Sequence, residues 1–330
     1  MPDSLLPTLD KLPRHAYTFL WADYVELLCL CNSNGLVSRG NLQAQVQESE
    51  DTQNDFTEAE EDGDEDHLTD AGETLHDKVS ARWDDIHARL STRELTFPGW
   101  PFKLEPNVLR SRFSPQNEAH RLYVALLIAS SLRLCHPSRC PEVTAAFEDI
   151  SFQWLRHSLT QLWDVRMFGA HQTMSGTYQG TLHQKFQALA NDIQGKLVKE
   201  PSDYDSRNTG DGRIDLVAWQ KMGDQRGNIP IIFGQCACSP TDWESKQLDV
   251  TPAAIEAHIY AQHPGAAFCF VPHDLSASDR KWQRAHEVKR TVLIDRFRLL
   301  HLFQTLDSWK VLPKWSFVDE AIHTCTTVAT

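Results

Sequence analysis

Four side chains in this 330-residue sequence have the types and spacing to hold a divalent cation beside a phosphoryl group. Asp215 stands in GDGRIDLVAW, residues 210–219, one residue into an apolar strand, after Gly210 and Gly212, which permit a tight turn. An ionised carboxylate in such a strand is costly unless a cation answers it, and that cation is either a metal or a nearby Lys or Arg. Gln235 lies 20 residues later, inside PIIFGQCAC, residues 230–238. That spacing fits two strands joined by a hairpin loop, and pairing them brings both side chains together. Taken alone, Gln235 also reads as a core hydrogen-bonder. Glu148 in AAFEDISFQWL, residues 145–155, shares a helical stripe with Phe152, Leu155 and Leu159, which turns it toward a sheet; a solvated helix acid is the plainer alternative. Lys246 follows Gln235 by 11 residues, after Pro240, near the start of a helix. An ammonium there stabilises charge developing on a phosphorane and helps orient the nucleophile, although any single lysine is also accounted for by the surface.

The elements that must position these residues follow from hydrophobic period and turn chemistry. Glu142–Leu162 reads as a helix with apolar residues at 143, 147, 150 and 154, and a short strand follows near Val165–Gly169. Residues 181–198 form a helix, and Ile214–Trp219 and Ile229–Cys238 are β-rich runs joined by a polar loop with Gly223 and Gly227. Thr251–Gln262 is a helix, Ala267–Pro272 and Thr291–Asp295 are strands, and Phe297–Gln304 and Ser316–Ile322 are helical. The order predicts an α/β (α+β) domain over 142–330, a mixed central sheet flanked by helices. Upstream, 1–42 is a helical segment with a helix over 16–32 that Asn34-Gly35 breaks. Residues 71–141 form a helical domain: a helix over Thr74–Leu90, a turn at TFPGWPF, and a helix to about Leu134 that Ser114-Pro115 caps.

The net charge of −13 argues against a nucleic-acid enzyme until its distribution is considered. Twelve Asp or Glu and no Lys or Arg lie between Glu48 and Asp70, so the rest of the chain is close to neutral and can carry a local basic face. Residues 43–70 hold too little apolar surface to offset chain entropy and read as a disordered linker or insertion, either a solvated spacer or a segment that mimics nucleic-acid charge or binds a basic partner. Arg296 and Arg298, at the end of a strand, are candidates for phosphate contact, as are Lys281 and Arg284 in a cluster with Lys289 and Arg290; ion pairs with Asp295 or Glu287, or a solvated face, are the competing readings. The eight cysteines show no repeated CxxC pairs, which disfavours a zinc ribbon or a disulfide framework. No apolar run approaches the ~18 residues of a membrane span, and the N-terminus lacks a signal-peptide pattern, so the expected location is cytoplasmic, with no membrane partner.

GDGRIDLVAW followed by PIIFGQCACSPTDWESK resembles the nuclease core of the PD-(D/E)xK, restriction-endonuclease-like superfamily. The likeness covers roughly residues 142–300 and rests on the order of single residues. In that family an Asp begins the second core strand, Glu or Gln sits on the third with a Lys two residues on, and the first core helix often supplies a Glu. Asp215, Gln235 and Glu148 match these places, with Gln235 as in the Mrr-like QxK branch. Ala237 stands where the close lysine belongs. Some members carry that lysine on the following helix, and Lys246 is the residue so placed. The resemblance implies Mg²⁺ or Mn²⁺ held by Asp215, the Gln235 side-chain oxygen and the Cys236 carbonyl, and hydrolysis of phosphodiester bonds, with DNA the expected partner. It leaves a second reading open: a decayed nuclease fold that binds nucleic acid or a partner such as an ATPase, with the N-terminal region as the protein-binding part. A homo-oligomer is compatible with either. Analogy alone suggests a setting in bacterial anti-phage defence.

Overall fold

The structure, a computed structural model, describes residues 4–13, 17–50, 75–168, 178–277 and 279–323. Most of the acidic stretch therefore lies outside the described residues. The chain divides into two compact units: Met1–Pro141 with Ala277–Arg280 and Lys314–Thr330, and Glu142–Ser276 with Lys281–Pro313.

The first unit contains α1 (Thr18–Cys31), β1 (Leu36–Ser38), α2 (Arg39–Glu50), α3 (Leu75–Thr96), β2 (Phe102–Glu105), β3 (Val108–Ser111) and α4 (Glu118–Ala129). Helix α1 is buried on nearly every side, as an apolar helix must be when neighbours surround it. Its two acids, Asp23 and Glu26, are answered by fully buried Arg93 of α3, at 2.8 and 3.0 Å. This unit is not purely helical: β1, β3 and β2 form an antiparallel sheet in that order, from strands too short to show a period. Three further expectations are corrected. Helix α2 extends through residues 43–50, so the start of the supposed linker is helix. Helix α4 is capped by Asn117, whose side chain accepts the amides of Ala119 and His120, and not by Ser114. The tail from Lys314 belongs here and not to the second unit, because the helix Ser316–His323 buries Phe317 and Val318 and ion-pairs through Asp319 and Glu320 with Arg121 and Arg139.

The second unit opens with α5 (Cys140–Ser158), whose first two residues precede the boundary, and continues through β4 (Trp163–Met167), α6 (Leu182–Asp192), β5 (Lys196–Leu197), β6 (Leu216–Gln220), β7 (Ile231–Cys236), α7 (Trp243–Lys246), α8 (Pro252–Glu256), β8 (Ile259–Tyr260), β9 (Ala266–Phe270), β10 (Val292–Ile294) and α9 (Arg296–Thr305). Five strands form one mixed sheet in the order β10-β9-β7-β6-β4; β4, β6 and β7 run antiparallel, and β7, β9 and β10 parallel. Alternation divides the strands between two faces. Val217, Phe233 and Ala267 pack with Phe186 and Leu189 of α6 in one core. On the other face Trp154 of α5 meets Phe270 edge-on at 5.6 Å. The sheet is thus covered on both sides, and the α+β class holds for this chain. Among the described residues no helix is long and apolar enough to cross a membrane.

Candidate active site

Asp215 is held where β6 begins. Its amide donates to the Gly234 carbonyl at 3.0 Å and its carbonyl accepts the Phe168 amide at 2.7 Å, so ladder hydrogen bonds run through it. The register pairs Leu216 with Gly234, and one further step sets Asp215 opposite Gln235 of β7. A Cβ on Gly234 would lie 3.0 Å from the Leu216 Cβ and 3.3 Å from the Phe270 ring, so glycine lets the strands close up beside this pair. Asp215 Oδ2 accepts the Cys236 amide at 2.6 Å. Before it, the turn at Gly212 and Arg213 has positive φ at both residues, and Asp211 closes it by accepting the Arg213 amide at 2.8 Å.

Asp215, Gln235 and Glu148 are 6%, 7% and 8% exposed. Two of their oxygens, Glu148 Oε2 and Gln235 Oε1, are buried with no hydrogen-bond partner. Such orphans cost free energy and call for a missing partner. Burial pushes Asp215 up to about 7, with the Cys236 amide opposing and Asp211 adding to the rise. Burial pushes Glu148 up to about 8, reinforced by Asp215, Asp211 and Asp149, and Lys246 opposes it. Glu148 comes from α5, on the opposite face from Asp215, yet the Asp215 charge reaches it near the carboxyl end of β7. Buried Cys236 is pushed well above the usual thiol range by burial, then by Asp215 and Glu148, and its thiol shares a hydrogen bond with Ser151 of α5. Lys246 is half-buried on α7, and among the described residues its ammonium forms no ion pair, though its charge reaches Glu148, Asp215 and Cys269. The structure therefore brings Asp215, Gln235, Glu148 and Lys246 into one neighbourhood.

Other expected site groups are placed differently. The Cys236 carbonyl accepts Gln235 Nε2 at 3.4 Å, so the expected carbonyl ligand is engaged by the neighbouring carboxamide. Arg296 cannot contact phosphate: it is fully buried, and its Nε donates to the Pro272 carbonyl at 2.8 Å. Its place one residue into α9, under the loop after β9, buries it. Arg298 is exposed, but its guanidinium lies 4.7 Å from the Trp282 ring centre and donates to the Leu293 carbonyl at 2.7 Å. Arg284 pairs with Glu287 and with Glu244, the latter at 3.3 Å, so its charge is neutralised locally; Lys281 is exposed. Sequence reasoning missed Asp211, whose charge bears on both acids, although GDGRID displays it four residues before Asp215. Among the described residues no trio of His, Cys, Asp and Glu side chains forms a ready-made metal cage, and the seven described cysteines are free. No protein-family model, curated protein or solved structure matches this chain.

Proposed function

We propose that this chain is a divalent-metal-dependent phosphodiesterase acting on nucleic acid, with DNA the expected substrate and Asp215, Gln235, Glu148 and Lys246 as its working residues. One observation carries the reading: two orphaned oxygens, Glu148 Oε2 and Gln235 Oε1, are buried in the same neighbourhood as a carboxylate whose ionisation burial opposes. A cation is the partner that would satisfy both oxygens and lower the electrostatic cost of the two acids. The donors are hard oxygens, which suit Mg²⁺ or Mn²⁺ over softer metals. Asp215 and Gln235 would hold the ion, with Glu148 reaching in from α5. A bound cation of this kind supplies Lewis acidity to a scissile phosphate and an attacking water. Lys246 stabilises the negative charge that develops on the phosphoryl oxygens. Ala237, at the place of the close lysine, is fully buried, which favours the displaced position on α7. The order of α5, β4, β6, β7, α7 and β9 around a mixed sheet supports a restriction-endonuclease-like core as the finer fold reading.

A second reading has its own observation. The Cys236 amide and Gln235 Nε2 occupy Asp215 Oδ2 and the Cys236 carbonyl, which suits a fold that has lost its metal and only binds nucleic acid or a protein partner. Plasmid and linear DNA incubated with Mg²⁺ or Mn²⁺ separate the two. The proposal expects cleavage that EDTA stops and that Asp215→Ala and Lys246→Ala each abolish while the melting transition is kept. Cleavage that survives in both variants removes the assignment, and DNA binding without cleavage favours the second reading.

A further inference from the structure

Lys185 is a buried charge in the second unit. It sits on α6 at 6% exposure, and among the described residues no carboxylate lies within ion-pair distance of it. Its ammonium instead donates to two successive backbone carbonyls, Thr209 at 2.8 Å and Gly210 at 3.1 Å. A buried ammonium is tolerated only when its donors are satisfied, and here loop carbonyls satisfy them. The next helix residue presses on the same loop. Gly212 has φ +60°, and a Cβ there would lie 2.5 Å from Cζ of Phe186. Two adjacent residues of one rigid helix thus fix both sides of the turn that runs into Asp215, the ammonium from the carbonyl side and the ring from the glycine side.

We infer that Lys185 is a positioning residue for the Asp215 carboxylate, acting through the Thr209–Gly210 carbonyls. The inference rests on the proposed metal-dependent site and adds a residue to it. Groups that orient a ligand from behind are worth about tenfold to a hundredfold in metal affinity, although they never touch the ion. Lys185→Met keeps the aliphatic stem and removes both hydrogen bonds. Gly212→Ala pushes the same turn away from Phe186 without changing any charge.

The test is Mn²⁺ titration of the full-length protein by calorimetry, with melting curves in EDTA run alongside. If wild type takes up no Mn²⁺, the proposed site itself fails, and the inference falls with it. If wild type binds, the inference expects both variants to lose about tenfold or more in Mn²⁺ affinity while each still unfolds in one cooperative transition without metal. Wild-type affinity in Lys185→Met overturns it. A Lys185→Met chain that does not fold assigns the lysine to general stability and overturns it as well.

Discussion

At the scale of single residues, the two acids make the metal-free protein sensitive to pH in a defined direction. The folded state raises Asp215 to about 7 and Glu148 to about 8, both chiefly through burial, whereas unfolded carboxyls titrate near 4. Between those values the native state binds more protons than the unfolded one, so stability falls as pH rises. The contribution is complete below about pH 4, is lost as pH climbs through 7 and 8, and is flat beyond. Melting temperatures in EDTA should therefore decline from pH 5 to pH 9. Asp215→Asn and Glu148→Gln should each flatten that decline and melt higher than wild type at pH 9. A decline that neither substitution changes would show that these carboxyls are not the buried ones that titrate.

At the scale of elements, the tightest constraints come from side chains that meet across long sequence separations. Arg93 of α3 neutralises Asp23 and Glu26 of α1, and Glu26 also accepts the Trp100 ring N–H at 2.8 Å and the Tyr123 hydroxyl. Arg93→Met would strand two buried carboxylates and should cost about 3–5 kcal/mol in a denaturant titration, since removing one partner of a buried pair leaves the other uncompensated. A loss under about 1 kcal/mol would mean that water reaches the pair. Nothing in the sequence marks this triad, because Arg93 lies about seventy residues from the two acids and each looks like an ordinary helix charge. The strands of the main sheet were legible for the opposite reason: IIFGQC and LVAWQ are continuous apolar runs, as strands covered on both faces must be. The helix over 181–198 was legible at its start, where Thr181 and Gln184 form a capping box, but not at its end. It stops at Asp192 because Lys196–Leu197 pairs with Ile259–Tyr260, a two-residue ladder with no period to read, and that ladder also cuts short the helix expected over 251–262. Of the site, Asp215 and Gln235 were legible from strand spacing. The burial of Arg296 was not, since a basic residue at a strand end looks alike whether it meets a phosphate or a carbonyl.

At the scale of the whole molecule, charge sets how the chain meets a polyanion. The net −13 is concentrated between Glu48 and Asp70, and long-range repulsion from that segment would oppose approach of the proposed DNA substrate at low salt. Deleting residues 51–70 should tighten DNA binding several-fold in low-salt fluorescence anisotropy, with the gain shrinking as salt rises. Equal affinity with and without the segment at every salt concentration would show that its charge does not act on DNA. Crystals soaked in Mn²⁺ and measured at the manganese edge would locate the ion. One strong anomalous peak is expected within coordinating distance of Asp215 and Gln235, lost in crystals of Asp215→Asn. A protein that cleaves DNA yet shows no peak in that pocket, or a peak that survives the substitution, would contradict the proposed site.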